Sequence, residues 1–305
     1  MSVFVCPTCR SLLQDDGPDA MRCPEDGAVF TREGGIWRFL RPERANYFGQ
    51  FIAEYEAVRR AEGRGAGDPA YYRALPFADT TGRFRTDWRI RAKSYQAFVR
   101  RALAPLERLR RRPLAVVDLG AGNGWLSYRL AARGHQVIAV DLLTNPFDGL
   151  GASIYYDVAF TPVQAEFDYL PLERDQVDLA VFNSSLHYAT DAGATLREAL
   201  RVMRRDGRLV VMDSPIYHDP ASGAQMVRER EAHFAARYGF RSDALPHVNF
   251  LTYQKLGALA EALGLKWRII RPFYGLRWAL RPLRARLRGH REPAQFAVIV
   301  GERRA

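Results

Sequence analysis

The sequence predicts an α/β protein built on a doubly wound, mainly parallel sheet, preceded by a small cysteine-bearing unit and a helical segment. Two observations lead to this fold class. Of the 305 residues, 48% are hydrophobic and 26% are charged, which is typical of a globular chain with a sizeable core. From Leu114 onward, short β-branched runs alternate with amphipathic stretches, as in sheets covered by helices on both faces.

Composition also limits location and partners. No apolar run approaches the ~18 residues that cross a bilayer, and the start MSVFVCPTC lacks the basic, then apolar, pattern of a signal peptide. We therefore expect a cytoplasmic protein with no transmembrane segment. The net charge of +11 favours an anionic partner. However, only three of the 45 basic residues are Lys, a skew that a GC-rich genome can produce without selection for binding.

Residues 1–40 are predicted to form a zinc ribbon. All three cysteines lie here, in Cys6-Pro-Thr-Cys9 and Cys23-Pro-Glu-Asp26, and an odd number without an export signal favours a metal over disulfides. Two such knuckles bring four ligands together tetrahedrally, so we expect Cys6, Cys9, Cys23 and Asp26 to bind zinc. The alternative is a ribbon without metal, in which Asp26 is a turn residue.

This ribbon resembles the small activators of tRNA methyltransferases and the ribbons fused to the front of some methyltransferases, including guanine-N1 rRNA enzymes. In those rRNA enzymes the last ligand is His, which this segment lacks, so the resemblance does not carry over the rRNA substrate. Trp37 and Phe39 end the segment, and we expect them to brace the helices that follow.

Residues 41–110 are predicted to form a helical cap or linker. Phe48, Phe51 and Tyr55 recur at helical spacing, and a second such stretch runs from 88 to 106. An aromatic stripe of this kind usually belongs to a core. The alternative for Tyr71 and Tyr72, in the Gly- and Pro-rich loop between the stretches, is to cap a cofactor pocket.

Residues 111–305 contain the alternating elements, with insertions near 214–250 and 274–292. We predict helices over 124–134 and 192–204 and after Thr252, and strands over 114–119, 136–142, 161–167, 177–183, 208–213, 265–270 and 294–300. In such a sheet, ligands bind at the carboxyl ends of the strands.

A glycine-rich motif follows the first of these strands, with Asp118 and then Gly120, Gly122 and Gly124 at every second position. Glycines allow a sharp turn and close approach of a ligand to the backbone, and the next helix offers unpaired N–H groups. A dinucleotide fingerprint would need a small residue where Trp125 stands.

The motif instead resembles motif I of class I S-adenosylmethionine (SAM) methyltransferases, and in particular of the methyltransferase type 11 group. The resemblance implies a Rossmann-like, seven-stranded sheet and SAM as cofactor. Asp141 ends the second strand, where a carboxylate can accept from both ribose hydroxyls. The matching positions implied as cofactor-binding are Asp118, Gly120, Gly122, Gly124, Asp141, Glu166, Phe167 and Asn183.

Among these positions, Glu166 and Phe167 stand where the family contacts adenine, and Asn183 ends the strand before the loop that faces the methyl group. Each acid also has a simpler interpretation. Asp118 can cap its own turn, Asp141 can be an ordinary N-cap and Glu166 can be a solvated surface acid.

The methyl acceptor is less well specified. The run from Asn183 to Leu186 is not the Asn/Asp-Pro-Pro-aromatic signature of amino-group methyltransferases, and no cysteine is left for a cytosine-C5 mechanism. His218, beside Tyr217 and Asp219, is the candidate base, with exposure as its alternative. His187 is the third catalytic candidate, although its position in related methyltransferases favours packing or cofactor support.

Two functions follow from these observations. The first is a SAM-dependent methyltransferase acting on a small-molecule or natural-product-like acceptor. The second is an RNA-directed methyltransferase or RNA-binding protein that uses the ribbon and Arg-rich surfaces to bind phosphates.

Residues 276–291, LRWALRPLRARLRGHR, form a basic amphipathic pattern. Pro282 is expected to divide it into two short helices. We expect a lid whose leucines pack on the domain and whose Arg face is solvated. The alternative is docking onto an anionic membrane surface, nucleic acid or an acidic substrate.

Overall fold

The computed structural model describes residues 3–304. The strands are β1 Gln14–Asp15, β2 Ala20–Arg22, β3 Val29–Glu33, β4 Ile36–Arg38, β5 Ala115–Leu119, β6 Gln136–Asp141, β7 Thr161–Gln164, β8 Val177–Asn183, β9 Met203–Met212, β10 Ile216–Tyr217, β11 Leu251–Thr252, β12 Leu265–Ile270 and β13 Val298–Arg303. The α-helices are α1 Pro42–Ala61, α2 Pro69–Ala74, α3 Arg85–Phe98, α4 Ala104–Arg110, α5 Trp125–Ala131, α6 Ala192–Val202, α7 Pro220–Tyr238, α8 Tyr253–Ala262, α9 Leu276–Ala279 and α10 Arg281–Leu287. A π-helical turn, Val99–Leu103, links α3 to α4.

The main sheet has eleven strands in the order β1-β2-β3-β4-β7-β6-β5-β8-β9-β13-β12. From β7 to β9 the strands are parallel, and β13 is antiparallel to both of its neighbours. Each of the predicted strands after residue 114 is present. The strand order reverses at β5, which opens a crevice at the carboxyl ends of β5, β6 and β8.

The expected seven strands are therefore only part of the sheet, because the N-terminal segment adds four more. β4 pairs in parallel with β7, with Trp37 opposite Val163. Trp37 and Phe39 are buried in the same apolar cluster as Val163 and Leu172. Their apolar surface thus packs on the edge of the sheet, instead of bracing the helices as expected.

The two faces of the sheet bury different clusters. Val116 of β5 packs with the aromatic side chains of α3, whereas its neighbour Val117 packs with residues of α6 and α8. Such alternation gives a sheet with helices on both faces. The segment 41–110 is therefore divided, since α3 and α4 form a layer on the sheet, whereas Phe48 and Phe51 of α1 pack against Leu245.

Tyr71 and Tyr72 belong to the core. Both rings are buried. Tyr72 stacks on Tyr155 with ring centroids 4.7 Å apart, and its hydroxyl donates to the Phe147 carbonyl at 2.7 Å. Neither tyrosine lines the pocket described below, so the alternative of capping a cofactor pocket is not supported.

The two insertions contain helices of their own. Asp219 accepts hydrogen bonds from Ala221 N and Ser222 N and so caps α7, a helix that the sequence analysis missed. In the second insertion, α9 and α10 are separate helices, as Pro282 predicts. Between residues 3 and 304, no helix combines the length and the apolar character that crossing a bilayer demands.

Candidate functional site

A pocket lies at the carboxyl ends of the central strands. Its walls come from the loops after β5, β6, β7 and β8 and from the helices α1 and α3. Its lining residues are Arg44, Phe48, Phe51, Tyr55, Arg59, Arg64, Trp88, Arg91, Gly120, Ala121, Gly122, Asn123, Trp125, Asp141, Leu142, Leu143, Asp148, Glu166, Phe167, Asp168, Asn183, Ser184, Ser185, Tyr188, Ala189, Thr190, Thr195 and Leu245. The crevice predicted from strand order is therefore present as a pocket.

The glycine-rich turn forms the floor of this pocket. Gly120, Gly122 and Gly124 have φ of +79°, +55° and +79°, a region that side chains with a Cβ rarely adopt. A Cβ on Gly120 would lie 2.3 Å from the Ser185 Cβ. The backbone therefore comes as close to the opposite loop as a residue without a side chain allows.

Replacing Gly120 with Ala is expected to destabilise the protein more than replacing Gly134. Both glycines have positive φ, but nothing lies within 4 Å of a Cβ on Gly134. Gly134→Ala therefore costs only backbone strain of about 1–2 kcal/mol, whereas Gly120→Ala also displaces Ser185 and distorts the pocket. Thermal denaturation and calorimetric titration of SAM measure both effects, and equal results for the two variants would contradict this account.

Asp141 is fixed at the wall of the pocket by the backbone. Gly122 N donates to its Oδ2 at 2.7 Å and Leu143 N donates to its Oδ1 at 2.8 Å. Burial raises the pKa of this carboxyl to about 6. Its two oxygens are thus oriented, and each keeps a further lone pair for a donor from a ligand.

Asp118, unlike Asp141, lies outside the pocket. It is buried beneath the turn and does not line the pocket. Ser127 Oγ donates to its Oδ2 at 2.7 Å, and burial raises its pKa to about 7. Its position favours support of the turn over direct contact with a ligand.

Glu166, Phe167 and Asn183 all line the pocket, as the resemblance implies. Both oxygens of Glu166 accept from the Arg44 guanidinium, which reaches over from α1. The Asn183 Oδ1 is buried and has no hydrogen-bond partner within residues 3–304. A buried acceptor of this kind is costly unless a ligand or water satisfies it, so it is available to a donor from a molecule in the pocket.

Sequence reasoning missed Asp148 and its partner. Asp148 is 6% exposed and accepts from Arg59 Nε of α1, and both residues line the pocket. Asn145 Oδ1 accepts from Asp148 N at 2.8 Å and shapes the loop. Neither residue stands in a recognisable motif, and the only signal available was the aromatic spacing of α1, which brings Tyr55 and Arg59 to one face.

The candidate catalytic residues are not brought into the pocket. Tyr217 is buried, with its ring edge-on to Phe250. The His218 ring lies 4.5 Å from the Tyr253 ring. The reason is local, because β10 pairs with β11 in a separate two-stranded sheet and does not join the main sheet.

His187 lies behind the pocket wall. Its Nδ1 is 3.2 Å from Ser214 Oγ, and its ring is 4.3 Å from that of Tyr188, which does line the pocket. Burial lowers the pKa of His187 to about 3, so the imidazole is neutral at physiological pH. The surroundings favour the packing role.

A cluster of side chains that could bind a metal ion lies in the N-terminal segment. Ligand atoms of Cys6, Cys9, Cys23 and Asp26 all lie within 4.8 Å of one another. The two knuckles have matching backbones, since Arg10 N donates to the Cys6 carbonyl at 2.9 Å and Gly27 N donates to the Cys23 carbonyl at 3.1 Å. Asp26 therefore stands in the second knuckle where Cys9 stands in the first.

Arg41 connects this cluster with α1. Its guanidinium pairs with Asp26 Oδ2 and lies 3.5 Å from Cys6 Sγ. A cation at this place offsets part of the negative charge that three thiolates and a carboxylate carry.

Comparison with known proteins relates the central part of the chain to one group. The family described as Methyltransferase domain matches residues 117–211. An uncharacterized methyltransferase of Mycobacterium tuberculosis is 38% identical over 94 residues, which are 31% of this chain and 37% of that protein. A malonyl-[acyl-carrier protein] O-methyltransferase of Gallionella capsiferriformans is 29% identical over 118 residues, 36% of this chain and 41% of that protein. The chain thus spans about two fifths of these relatives.

A solved structure extends the likeness to nearly the whole fold. The 1,6-didemethyltoxoflavin-N1-methyltransferase of Burkholderia thailandensis, solved with 1,6-didemethyltoxoflavin and S-adenosylhomocysteine, is 16% identical with a TM-score of 0.50, and the match covers 96% of this chain and 99% of that one. Neither the family description nor the names of these relatives favour the RNA-directed alternative. Residues 117–211 thus resemble the family described as Methyltransferase domain, and the fold of the chain resembles that of the Burkholderia methyltransferase.

Proposed function

We propose that the protein binds SAM and transfers its methyl group to a small-molecule acceptor. The observation that carries this proposal is the convergence of the Gly120 turn, Asp141 and Asn183 on one pocket. These residues follow or end three different strands, so their meeting depends on the fold and not on nearness in sequence. When bound, SAM supplies an electrophilic methyl group on a positively charged sulfur.

The residues present fit this cofactor in their chemistry. The oriented carboxylate of Asp141 suits a vicinal diol, and the buried acceptor of Asn183 suits a polar donor. The absence of a side chain at Gly120 lets the turn pack closely against Ser185 at the edge of the pocket. Glu166 and Phe167 line the pocket at the positions where the resemblance implies contact with adenine, and Arg44 fixes the glutamate.

The acceptor part of the site is proposed to lie against α1. Phe48, Phe51 and Tyr55 line the pocket together with Tyr188 and Leu245, an aromatic wall typical of small-molecule sites. Burial raises the pKa of Tyr55 well above its usual range, so its hydroxyl donates hydrogen bonds and does not act as a base. With His187, Tyr217 and His218 outside the pocket, alignment of the acceptor is the main contribution we assign to the protein.

Calorimetric titration of the zinc-loaded chain with SAM and S-adenosylhomocysteine tests the cofactor. One site per chain is expected for each ligand. Absence of binding by folded, metal-loaded protein would contradict the proposal. The acceptor class is tested by following S-adenosylhomocysteine formation with panels of small acids, phenols, amines and RNA, and turnover on RNA alone would contradict it.

SAM affinity is expected to fall as the pH drops through about 6. The raised pKa of Asp141 places its protonation there, and only the ionised carboxylate accepts from both hydroxyls of a diol. The stability of the empty protein changes in the opposite sense, because burial favours the protonated form and the contribution of this carboxyl is lost as the pH rises toward 6.

Titrations between pH 5 and 8 measure this dependence. Asp141→Asn should bind more weakly and with a flatter pH profile in the range around 6. Burial also raises the pKa of Asp118, which lies beneath the same turn. Asp118→Asn is therefore the control, and the pH profile of its SAM affinity should stay centred near 6. An unchanged profile in Asp141→Asn would rule out Asp141 as the titrating group.

We further propose that Cys6, Cys9, Cys23 and Asp26 bind one zinc ion. The support is the convergence of their ligand atoms and the matching backbones of the two knuckles. Four protein ligands leave no open position, so the metal would stabilise the ribbon and not react.

A further inference from the structure

The leucines of the second insertion face solvent instead of the protein. Neither α9 nor α10 has a buried residue. We define the exposed stripe as five large apolar side chains that recur every three or four residues across α9, α10 and the turn before α9. They are Phe273, Leu276, Leu280, Leu283 and Leu287, with exposed fractions of 64%, 74%, 42%, 55% and 77%. The expected lid packing of these leucines is therefore wrong, since a stripe that packed on the domain would be buried.

The insertion is attached through its opposite face. Trp278 stacks on Phe296 with ring centroids 5.5 Å apart, and Tyr274 lies 5.3 Å from Trp278. The Tyr274 hydroxyl is 2.8 Å from Ser94 Oγ, and Lys93 Nζ donates to the Phe273 carbonyl at 2.9 Å. These contacts of Tyr274 and Trp278 fix the segment to α3 and Phe296, while the exposed stripe faces the solvent.

Charge distinguishes this surface from an ordinary exposed patch. Residues 271–291 contain seven arginines and no Asp or Glu. Arg291 pairs with Glu229, and Arg281 lies over the Trp278 ring. Five others are exposed and have no carboxylate within 4.0 Å among residues 3–304. They are Arg271, Arg277, Arg284, Arg286 and Arg288.

From this combination we propose that residues 271–291 dock onto an anionic lipid bilayer. Apolar side chains beside unpaired arginines match the two parts of such a surface, because leucines enter the acyl boundary while guanidinium groups remain with the anionic headgroups. A nucleic acid would satisfy the arginines but would leave the stripe in water. The exposed leucines therefore decide between the two partners.

Flotation of the zinc-loaded full chain with lipid vesicles tests the proposal. We expect binding to phosphatidylcholine vesicles containing phosphatidylglycerol, weakened by salt, and little binding to pure phosphatidylcholine. Leu276→Ser combined with Leu283→Ser and Leu287→Ser should lower the bound fraction at least tenfold. Arg277→Glu combined with Arg284→Glu and Arg288→Glu should do the same. All six side chains are exposed, so both variants should keep the wild-type melting temperature.

The matched control reverses three arginines elsewhere. Arg108, Arg174 and Arg205 are exposed and have no carboxylate partner in the described chain, and their change to Glu alters the net charge equally. This control should keep most of the vesicle binding. Three results would overturn the proposal. They are no binding of wild type to anionic vesicles, equal loss in the control, or full binding by the leucine variant. Retention of RNA that the segment's Arg variant abolishes, without vesicle binding, would assign the surface to nucleic acid instead.

Discussion

Replacing Cys23 with serine is expected to release the zinc and unfold the ribbon. Cys23 is fully buried, and its thiolate is one of four proposed ligands. Structural zinc contributes about 10–16 kcal/mol in isolated zinc-finger peptides, which is comparable to the whole folding free energy of a domain, about 5–15 kcal/mol. A segment of 40 residues cannot replace that contribution with its own core.

Elemental analysis and thermal denaturation measure the effect. Zinc should fall from near one equivalent per chain to near zero, and an early unfolding step should appear. Thr8→Ala is the matched control, because Thr8 is exposed in the first knuckle between two proposed ligands. Metal-free wild type should melt like Cys23→Ser, and a metal-free wild type that melts like the zinc-loaded protein would contradict the zinc proposal. Retention of zinc in Asp26→Ala would contradict only the fourth ligand.

Replacing Asp141 with alanine is expected to weaken SAM binding by about 1.5–3 kcal/mol, the range for hydrogen bonds to a charged group. That loss corresponds to about a 10- to 150-fold rise in Kd. The change also leaves Gly122 N and Leu143 N without the acceptor that fixes the turn, so part of the loss comes from a less ordered pocket.

Calorimetry with Asp141→Ala and Asp141→Asn separates these contributions. The asparagine keeps an oxygen acceptor and the shape of the side chain but has no charge, so its affinity should lie between those of wild type and the alanine variant. Melting temperatures check that both variants are folded. Wild-type affinity in a folded Asp141→Ala variant would exclude the proposed role.

The central strands and the crevice were accessible from sequence because both follow from local rules. Alternation of strands and helices sets the sheet, and strand ends set the position of Gly120, Asp141 and Glu166. The residues that cover the end of a strand can come from a distant part of the chain, and local rules do not predict them. Arg59 and Asp148 meet only because α1 crosses the pocket, and no spacing in the sequence predicts that contact.

The same limit explains the insertion and the candidate bases. Helical spacing predicted that these leucines share an apolar face, but spacing does not tell whether such a face contacts the protein or the solvent. Here Trp278 is the anchor, so the leucines face outward. For His218, nearness to Asp219 in sequence suggested a catalytic pair. The carboxylate instead caps α7, a task that the following Pro220 favours.

The pairing of β4 with β7 bears on how the chain is completed during synthesis. Arg38 and Gln164, the last pair in this register, are 126 residues apart, so β4 leaves the ribosome long before its partner strand exists. A ribbon that is already folded can meet β7 as a preformed template. Once joined, it covers the backbone N–H and C=O groups that a bare edge strand would offer to other chains. The sheet then ends at β1, a strand of two exposed residues that include an acid, which gives a second molecule little to extend.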